Sequence, residues 1–313
     1  RFDAVLMNPP FGEPSESTRS MFKITYPSSS DNVALAFMER GNDLLTKNGF
    51  SGAITDCSWT KKYDYSNFRI SILERLDLYS LIHLGWGVLD GANVETNLSI
   101  RREQSRSAFT VNISDFSNKE NALLDSVSRI DASSFCLLER FSKLPNKVFA
   151  SEMRDDEFEA YFSNASVSNN FAEAVAGIKS CNSSADFRLW WEVPQNQLGV
   201  KRDWQLLHNG SPYCPIHYPV FFAVKSDSGT WKQIMANGGA RPGESYYAKP
   251  GIAYGKRTDT MYGYLKPEEQ VFSQEGQALF PKRNVSLWNV MALVNSSIYA
   301  RHANYVAGQH KYH

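Results

Sequence analysis

The sequence predicts an α/β protein in two parts, half of a doubly wound sheet followed by a mixed, β-rich domain. Three observations predict it. The first 118 residues read strand, helix, strand, helix, strand, strand, which is half of a doubly wound sheet. From Phe171 on, short apolar runs alternate with Gly, Pro, Asn and Ser turns, and aromatics become frequent. At 313 residues, 42% hydrophobic with 7 Trp, the chain can fill two cores.

The elements follow in order. Residues 2–7 form a short apolar run that reads as a buried strand. Residues 12–31 are polar and rich in Ser and Pro, and read as a long loop, either a closing flap or a plain insertion. Residues 32–47 read as a helix, with Val33, Phe37, Leu44 and Leu45 near helical spacing and Asp31 or Asn32 as N-cap. Asn48-Gly49 is expected to end it. Residues 50–55 are a second strand, 65–76 a helix, and 78–84 a third strand. Residues 97–101 and 109–113 alternate like further strands. Gly85-Trp86-Gly87 reads as a turn. Residues 119–170 place Leu123, Leu124, Leu137, Leu138 and Phe141 at helical spacing and read as connecting helices. The aromatics beyond, among them Trp190, Trp191, Trp204, Tyr213, Tyr218, Trp231 and Tyr264, are mostly core.

The chemistry concentrates at Asn8-Pro9-Pro10-Phe11, directly after the first strand, where an open α/β sheet puts its ligand site. Each proline biases the residue before it toward an extended conformation, and the pair removes two backbone donors while leaving two carbonyls. The loop is therefore stiff and rich in acceptors. Asn8 adds a side-chain carbonyl and Phe11 a flat apolar face. Two converging acceptors beside an aromatic platform suit a planar ring bearing an NH2 group. The ring would stack on Phe11, while the Asn8 oxygen and the Pro9 carbonyl would each take one N–H. Holding both protons out of plane pulls the nitrogen toward sp3 and frees its lone pair, without a strong base.

Asn-Pro-Pro-Phe after a strand resembles the catalytic motif of amino-methyltransferases that use S-adenosylmethionine, and most of all the DNA adenine methyltransferases. The fragments LLTKNGFSGAITDCSW, NFRISILERL and LIHLGWGVLDGANVETNLSI extend the resemblance over about 110 residues. It points to the large restriction–modification and phage-defence enzymes of the BREX, DISARM and type IIG kinds, in the family's gamma arrangement. The resemblance implies the C-terminal half of a Rossmann-like class I methyltransferase sheet, followed by a mixed α+β target recognition domain. It implies a catalytic half at 1–118, connecting helices at 119–170 and a DNA-binding recognition domain at 171–313. It makes Asn8, Pro9, Pro10 and Phe11 catalytic, with a flipped adenine stacked on Phe11, and places Asn8 and Pro10 against S-adenosylmethionine. The family's Phe-x-Gly-x-Gly cofactor loop precedes this motif in the gamma order, so the chain is expected to be an excerpt. Its sheet would then show an open apolar edge where the cofactor half belongs, and it is not expected to fold alone.

In the second part, residues 251–281 and 290–308 resemble that family's recognition domain, with Val294-Asn295-Ser296 matching its Leu/Val-Asn-Ser signature. Candidate DNA contacts are Arg241, Lys249, Lys256, Arg257, Lys282 and Arg283. Lysines would track phosphates, and an Arg such as Arg257 could reach a guanine edge, although any one such residue is more often a solvated surface charge. Net charge is zero, but residues 201–313 hold 13 Lys+Arg against 7 Asp+Glu, and the first 200 hold 20 against 26. A basic tail suits double-stranded DNA, and it is equally ordinary surface variation.

Cys57, Cys136, Cys181 and Cys214 are far apart with no C-x-x-C pair, which argues against a zinc site or a disulfide framework and for buried free thiols in a cytoplasmic protein. No metal is expected. No apolar run approaches a membrane span. Two other functions fit the residues. One is the same chemistry on a cytosine amine, RNA or a glutamine side chain. The other is a DNA-recognition or scaffold subunit of a defence complex with little catalysis.

Overall fold

The computed structural model describes residues 1–307 except 92, 132–133, 165, 200–201, 211–215, 248 and 259. The chain forms two compact units, Arg1–Arg154 and Asp155–His313.

The first unit is an α/β sheet of six strands: β1 (Phe2–Met7), β2 (Leu45–Asp56), β3 (Leu78–Gly85), β4 (Thr96–Arg101), β5 (Ser107–Asn112) and β6 (Phe135–Leu137). Their spatial order is β1-β2-β4-β3-β5-β6. β1 and β2 are parallel, as are β3 and β5, while β4 lies antiparallel between β2 and β3. The carboxyl ends of β1, β2, β3 and β5 therefore share one edge of the sheet. The helices are α1 (Arg19–Thr25), α2 (Val33–Asp43), α3 (Ser66–Arg75), α4 (Lys119–Ser128) and α5 (Leu138–Lys143).

Local chemistry explains most of these elements. Asn32 has extended backbone, and its side chain accepts from the Ala34 and Leu35 amides, which caps α2. The buried Ala34, Leu35 and Met38 define the face of α2 that meets the core. Trp59 is fully buried and meets Phe68 and Phe149 edge to face, at 5.6 and 5.7 Å between ring centroids. The Arg69 guanidinium, also fully buried, donates to the carbonyls of Trp59, Lys62, Asn146 and Lys147. It stitches residues 59–62 to 146–147 through backbone carbonyls alone, and burial lowers its pKa to about 10. Ile82, Leu84, Phe109, Ile113 and Ala122 form a further buried cluster.

Three expectations change here. The run 2–7 is a strand but not a buried one: β1 is the sheet edge, with Phe2 58% and Leu6 83% exposed. The segment 12–31 contains helix α1 rather than being loop throughout. The helix expected to reach Lys47 ends at Asp43, because pairing with β1 draws the next residues into β2: the Phe2 amide donates to the Leu44 carbonyl and Phe2 is in register with Leu45. Asn48-Gly49 then lies inside β2. A Cβ at Gly49 would sit 2.9 Å from the Phe2 carbonyl oxygen, so only glycine permits β1 to approach this closely.

The second unit opens with α6 (Asp155–Ser163) and α7 (Val167–Asn170). Its strands are β7 (Ala172–Val175), β8 (Phe187–Leu189), β9 (Trp204–His208), β10 (Phe222–Lys225), β11 (Gly251–Tyr254), β12 (Gly263–Lys266), β13 (Val271–Phe272) and β14 (Ala278–Pro281). They form two four-stranded sheets, β13-β9-β10-β8 and β12-β11-β14-β7. Helices α8 (Ser183–Asp186), α9 (Ser228–Ala236), α10 (Leu287–Val294) and α11 (Ser297–Ala307) complete the unit. Phe187, Leu207, Val224, Trp231, Phe272 and Phe280 belong to one core cluster; Ile252, Tyr254, Leu279, Val290, Met291 and Val294 belong to another. Asn295 explains its own place in the Val-Asn-Ser run. Its side chain accepts from the Gly263 amide at 3.0 Å and donates to the Gly263 carbonyl at 2.9 Å, pinning the end of α10 to β12.

The division at Arg154 falls inside the segment expected as connecting helices. α4, β6 and α5 belong to the first unit, where β6 pairs with β5, whereas α6 and α7 belong to the second.

Candidate active site

Asn8 follows the last residue of β1, so residues 8–11 sit at the carboxyl edge of the sheet. Asn8 and Pro10 are exposed, Pro9 is buried and Phe11 is half-buried. No side-chain hydrogen bond within the described residues engages Asn8, and none occupies the Pro9 carbonyl. Gly12 turns the chain at φ +114°, where a side chain would be strained, and its carbonyl accepts from the Val33 amide at 2.9 Å. The loop is thus anchored behind by β1 and ahead by the N-terminus of α2. What remains free is an amide oxygen, a carbonyl and an aromatic ring.

Other segments reach the same edge. After β2, Asp56 caps a 3-10 turn, Cys57–Thr60, by accepting from the Ser58 amide. After β3, Gly85 and Gly87 have φ of +78° and +73° and make the expected turn, with Trp86 exposed between them. Between β2 and β3 the side chains of Cys57, His83 and Glu95 converge. The Cys57 thiol donates to one Glu95 oxygen at 3.3 Å, and the His83 Nε2 lies 3.0 Å from the other. Burial, and then the Glu95 carboxylate, push the Cys57 thiol well above its ordinary range. Ligand-type reasoning from spacing missed this cluster, because its members lie 26 and 12 residues apart in sequence.

The six candidate DNA contacts do not form one patch. Lys249 precedes β11, and Lys282 and Arg283 follow β14, all three exposed. The antiparallel pairing of β11 with β14 puts these three at one end of their sheet. Lys256 and Arg257 follow β11 and so lie at the other end. Arg257 is exposed and pairs with Glu275 at 3.1 Å, whereas Lys256 is only 8% exposed. Arg241 stands apart, its guanidinium 4.0 Å from the Trp231 ring centroid and 2.7 Å from Glu244. Lys249 covers Tyr246 at 4.3 Å, and Lys282 donates to the Asn169 carbonyl at 2.8 Å.

Two buried ionisable groups in this unit went unremarked in the sequence. Lys266 is fully buried, donates to the carbonyls of Tyr247, Lys249 and Pro267, and has its pKa lowered to about 7 by burial. His208 is 2% exposed, with Nε2 bonded to Gln270 and Nδ1 without a partner; burial lowers its pKa to about 4. Nothing in local sequence marks either one, since burial is decided by remote strands.

The cysteines depart from expectation in part. Cys136 is buried, Cys57 is intermediate and Cys181 is exposed, because it lies in the turn before α8 rather than in a core. Cys214 and Tyr213 lie outside the described residues. No helix among the described residues is long and apolar enough to cross a membrane.

Residues 1–87 match the Eco57I restriction-modification methylase family. Among solved structures, the chain is similar to a nuclease-deletion mutant of the Type ISP restriction-modification enzyme LlaGI in complex with a DNA substrate mimic. That match has 11% identity and a TM-score of 0.58, and covers 96% of this chain and 38% of the other. It is also similar to DrdV in the DrdV–DNA complex, at 9% identity and a TM-score of 0.51, covering 94% of this chain and 39% of that one. At these identities the likeness is one of fold. The chain spans about two fifths of the length of either structure. No curated protein matches it.

Proposed function

We propose that this chain carries the target-amine half and the DNA-recognition part of a site-specific DNA adenine methyltransferase of a restriction–modification or phage-defence system. The observation that carries the reading is the Asn8–Phe11 loop, its two acceptors and its ring presented at the carboxyl edge of an α/β sheet. The match of residues 1–87 to a restriction-modification methylase family supports it.

The Asn8 Oδ1 and the Pro9 carbonyl each accept one N–H of the adenine amine. Their positions hold the two protons out of the ring plane, and the nitrogen lone pair no longer delocalises into the ring. Phe11 stacks on the base once it has left the duplex. The buried Pro9 and the Gly12–Val33 hydrogen bond fix the acceptors before the substrate arrives, which is where rate is gained. S-adenosylmethionine, when bound, supplies an electrophilic methyl group. The chain's own residues fit one end of that cofactor: the exposed Asn8 amide and Pro10 offer a neutral polar edge beside the open side of β1. Lys249, Arg257, Lys282 and Arg283 are exposed and suited to duplex DNA, the lysines to phosphates and Arg257 to a guanine edge. Arg241, held against Trp231 and Glu244, and Lys256, which is buried, are the less accessible of the six.

The test is methylation-sensitive sequencing of DNA from cells expressing the protein or its Asn8→Ala variant. Methyladenine at one motif with the parent and at least a hundredfold less with the variant is the expected result. Equal methylation in both removes Asn8 from the mechanism.

A further inference from the structure

We propose that Cys57, His83 and Glu95 form a binding site for one divalent transition-metal ion, with zinc as the ion their chemistry favours. The site uses no residue of the amine-holding loop, and the proposal does not rest on the methyl-transfer reading.

Three neighbouring strands build it. Cys57 is the first residue after β2, His83 lies in β3, and Glu95 immediately precedes β4, which runs between them. The backbone fixes their spacing. Asp56 is in register with Thr96, His83 with Asn97, and the Cys57 amide donates to the Glu95 carbonyl at 2.9 Å. Cys57 lies 3.3 Å from one Glu95 oxygen and His83 3.0 Å from the other, and one donor atom from each residue falls within 4.8 Å of the rest, against the ~3.3–3.7 Å that separates ligand atoms around a tetrahedral zinc with bonds of ~2.0–2.3 Å. An ion would replace these hydrogen bonds, with the side chains drawing in to share it.

The donor set selects the ion. A sulfur and an imidazole nitrogen with one carboxylate suit zinc or cobalt rather than magnesium or calcium, which take oxygen ligands. Charge closes as well. The thiol gives its proton to solvent on binding, and thiolate plus carboxylate then neutralise a 2+ ion beside a neutral imidazole. His83 and Glu95 keep 24% and 11% of their side chains exposed, so the ion has a path in and a water can take the fourth position.

The test is cobalt titration of the tag-free, metal-stripped chain, read by absorption, with bound zinc counted by elemental analysis after reconstitution. The expected result is one metal per chain and a sulfur-to-cobalt charge-transfer band. Cys57→Ser removes the band, and His83→Gln weakens binding by more than about tenfold while keeping it, since even outer partners of metal ligands act on that scale. Cys181→Ser changes neither. A parent chain that binds no cobalt, or binds it without the sulfur band, overturns the proposal, and so does binding unchanged in Cys57→Ser. The parent spectrum decides the matter even if a variant fails to fold.

Discussion

Asn8 is held by its backbone and not by its side chain. Its amide is exposed and makes no side-chain hydrogen bond within the described residues, so nothing in the fold depends on it. Asn8→Ala is therefore expected to leave stability within about 0.5 kcal/mol of the parent in urea unfolding, while methylation is lost. A large loss of stability would mean that the side chain serves the fold instead. His208 shows the opposite case. Its pKa falls from 6.5 to about 4 because burial disfavours the imidazolium, which the bond to Gln270 only partly offsets. Between pH 6.5 and 4 the unfolded chain takes up a proton that the folded chain refuses. Stability therefore rises with pH across that window, and acidification from pH 6.5 to 4 costs up to about 3 kcal/mol. Urea unfolding of the parent and of His208→Gln at several pH values checks this. The slope attributable to the histidine disappears in the variant.

At the scale of elements, a few side chains decide where secondary structure begins and ends. Asn32 satisfies two amides at the start of α2. Asn32→Ala should cost about 1 kcal/mol and Asn32→Asp much less, both read by thermal melting. The end of α2 follows a different logic. Residues 45–47 have no sequence feature that rejects helix, and competition with a parallel strand partner, β1, turns them into strand instead. The same competition explains the exposed apolar side chains of β1, which has a single neighbour. Apolar patterning was readable at α3, β3, β4 and β5, whose bounds lie within two residues of expectation. Helix α1 was not, because a polar Ser-rich stretch has no apolar period to show it.

At the scale of the whole molecule, each unit has its own core, and the clusters of the second share no residue with those of the first. In calorimetry of the full-length protein these two units are expected to melt as separate transitions. Asn295→Ala, which breaks two hydrogen bonds to Gly263 in the second unit, should lower only one of them, by about 1–3 kcal/mol. A single transition shifted as a whole would show that the units unfold together.

The sequence by itself determined the α/β class, the alternation of strands and helices from β2 to β5, the change of character in the second unit, and the loop at Asn8. These are local properties: apolar period, capping, and two prolines that stiffen whatever follows a strand. Tertiary structure alone decided which strand stands at the edge, that Asp155 opens a new unit, and that the basic candidates fall into separate places. It alone brought Cys57, His83 and Glu95 together and buried Lys266 and His208. The physical reason is common to all of these. Strand order and register set which distant residues become neighbours, and neither leaves a periodic trace in the chain.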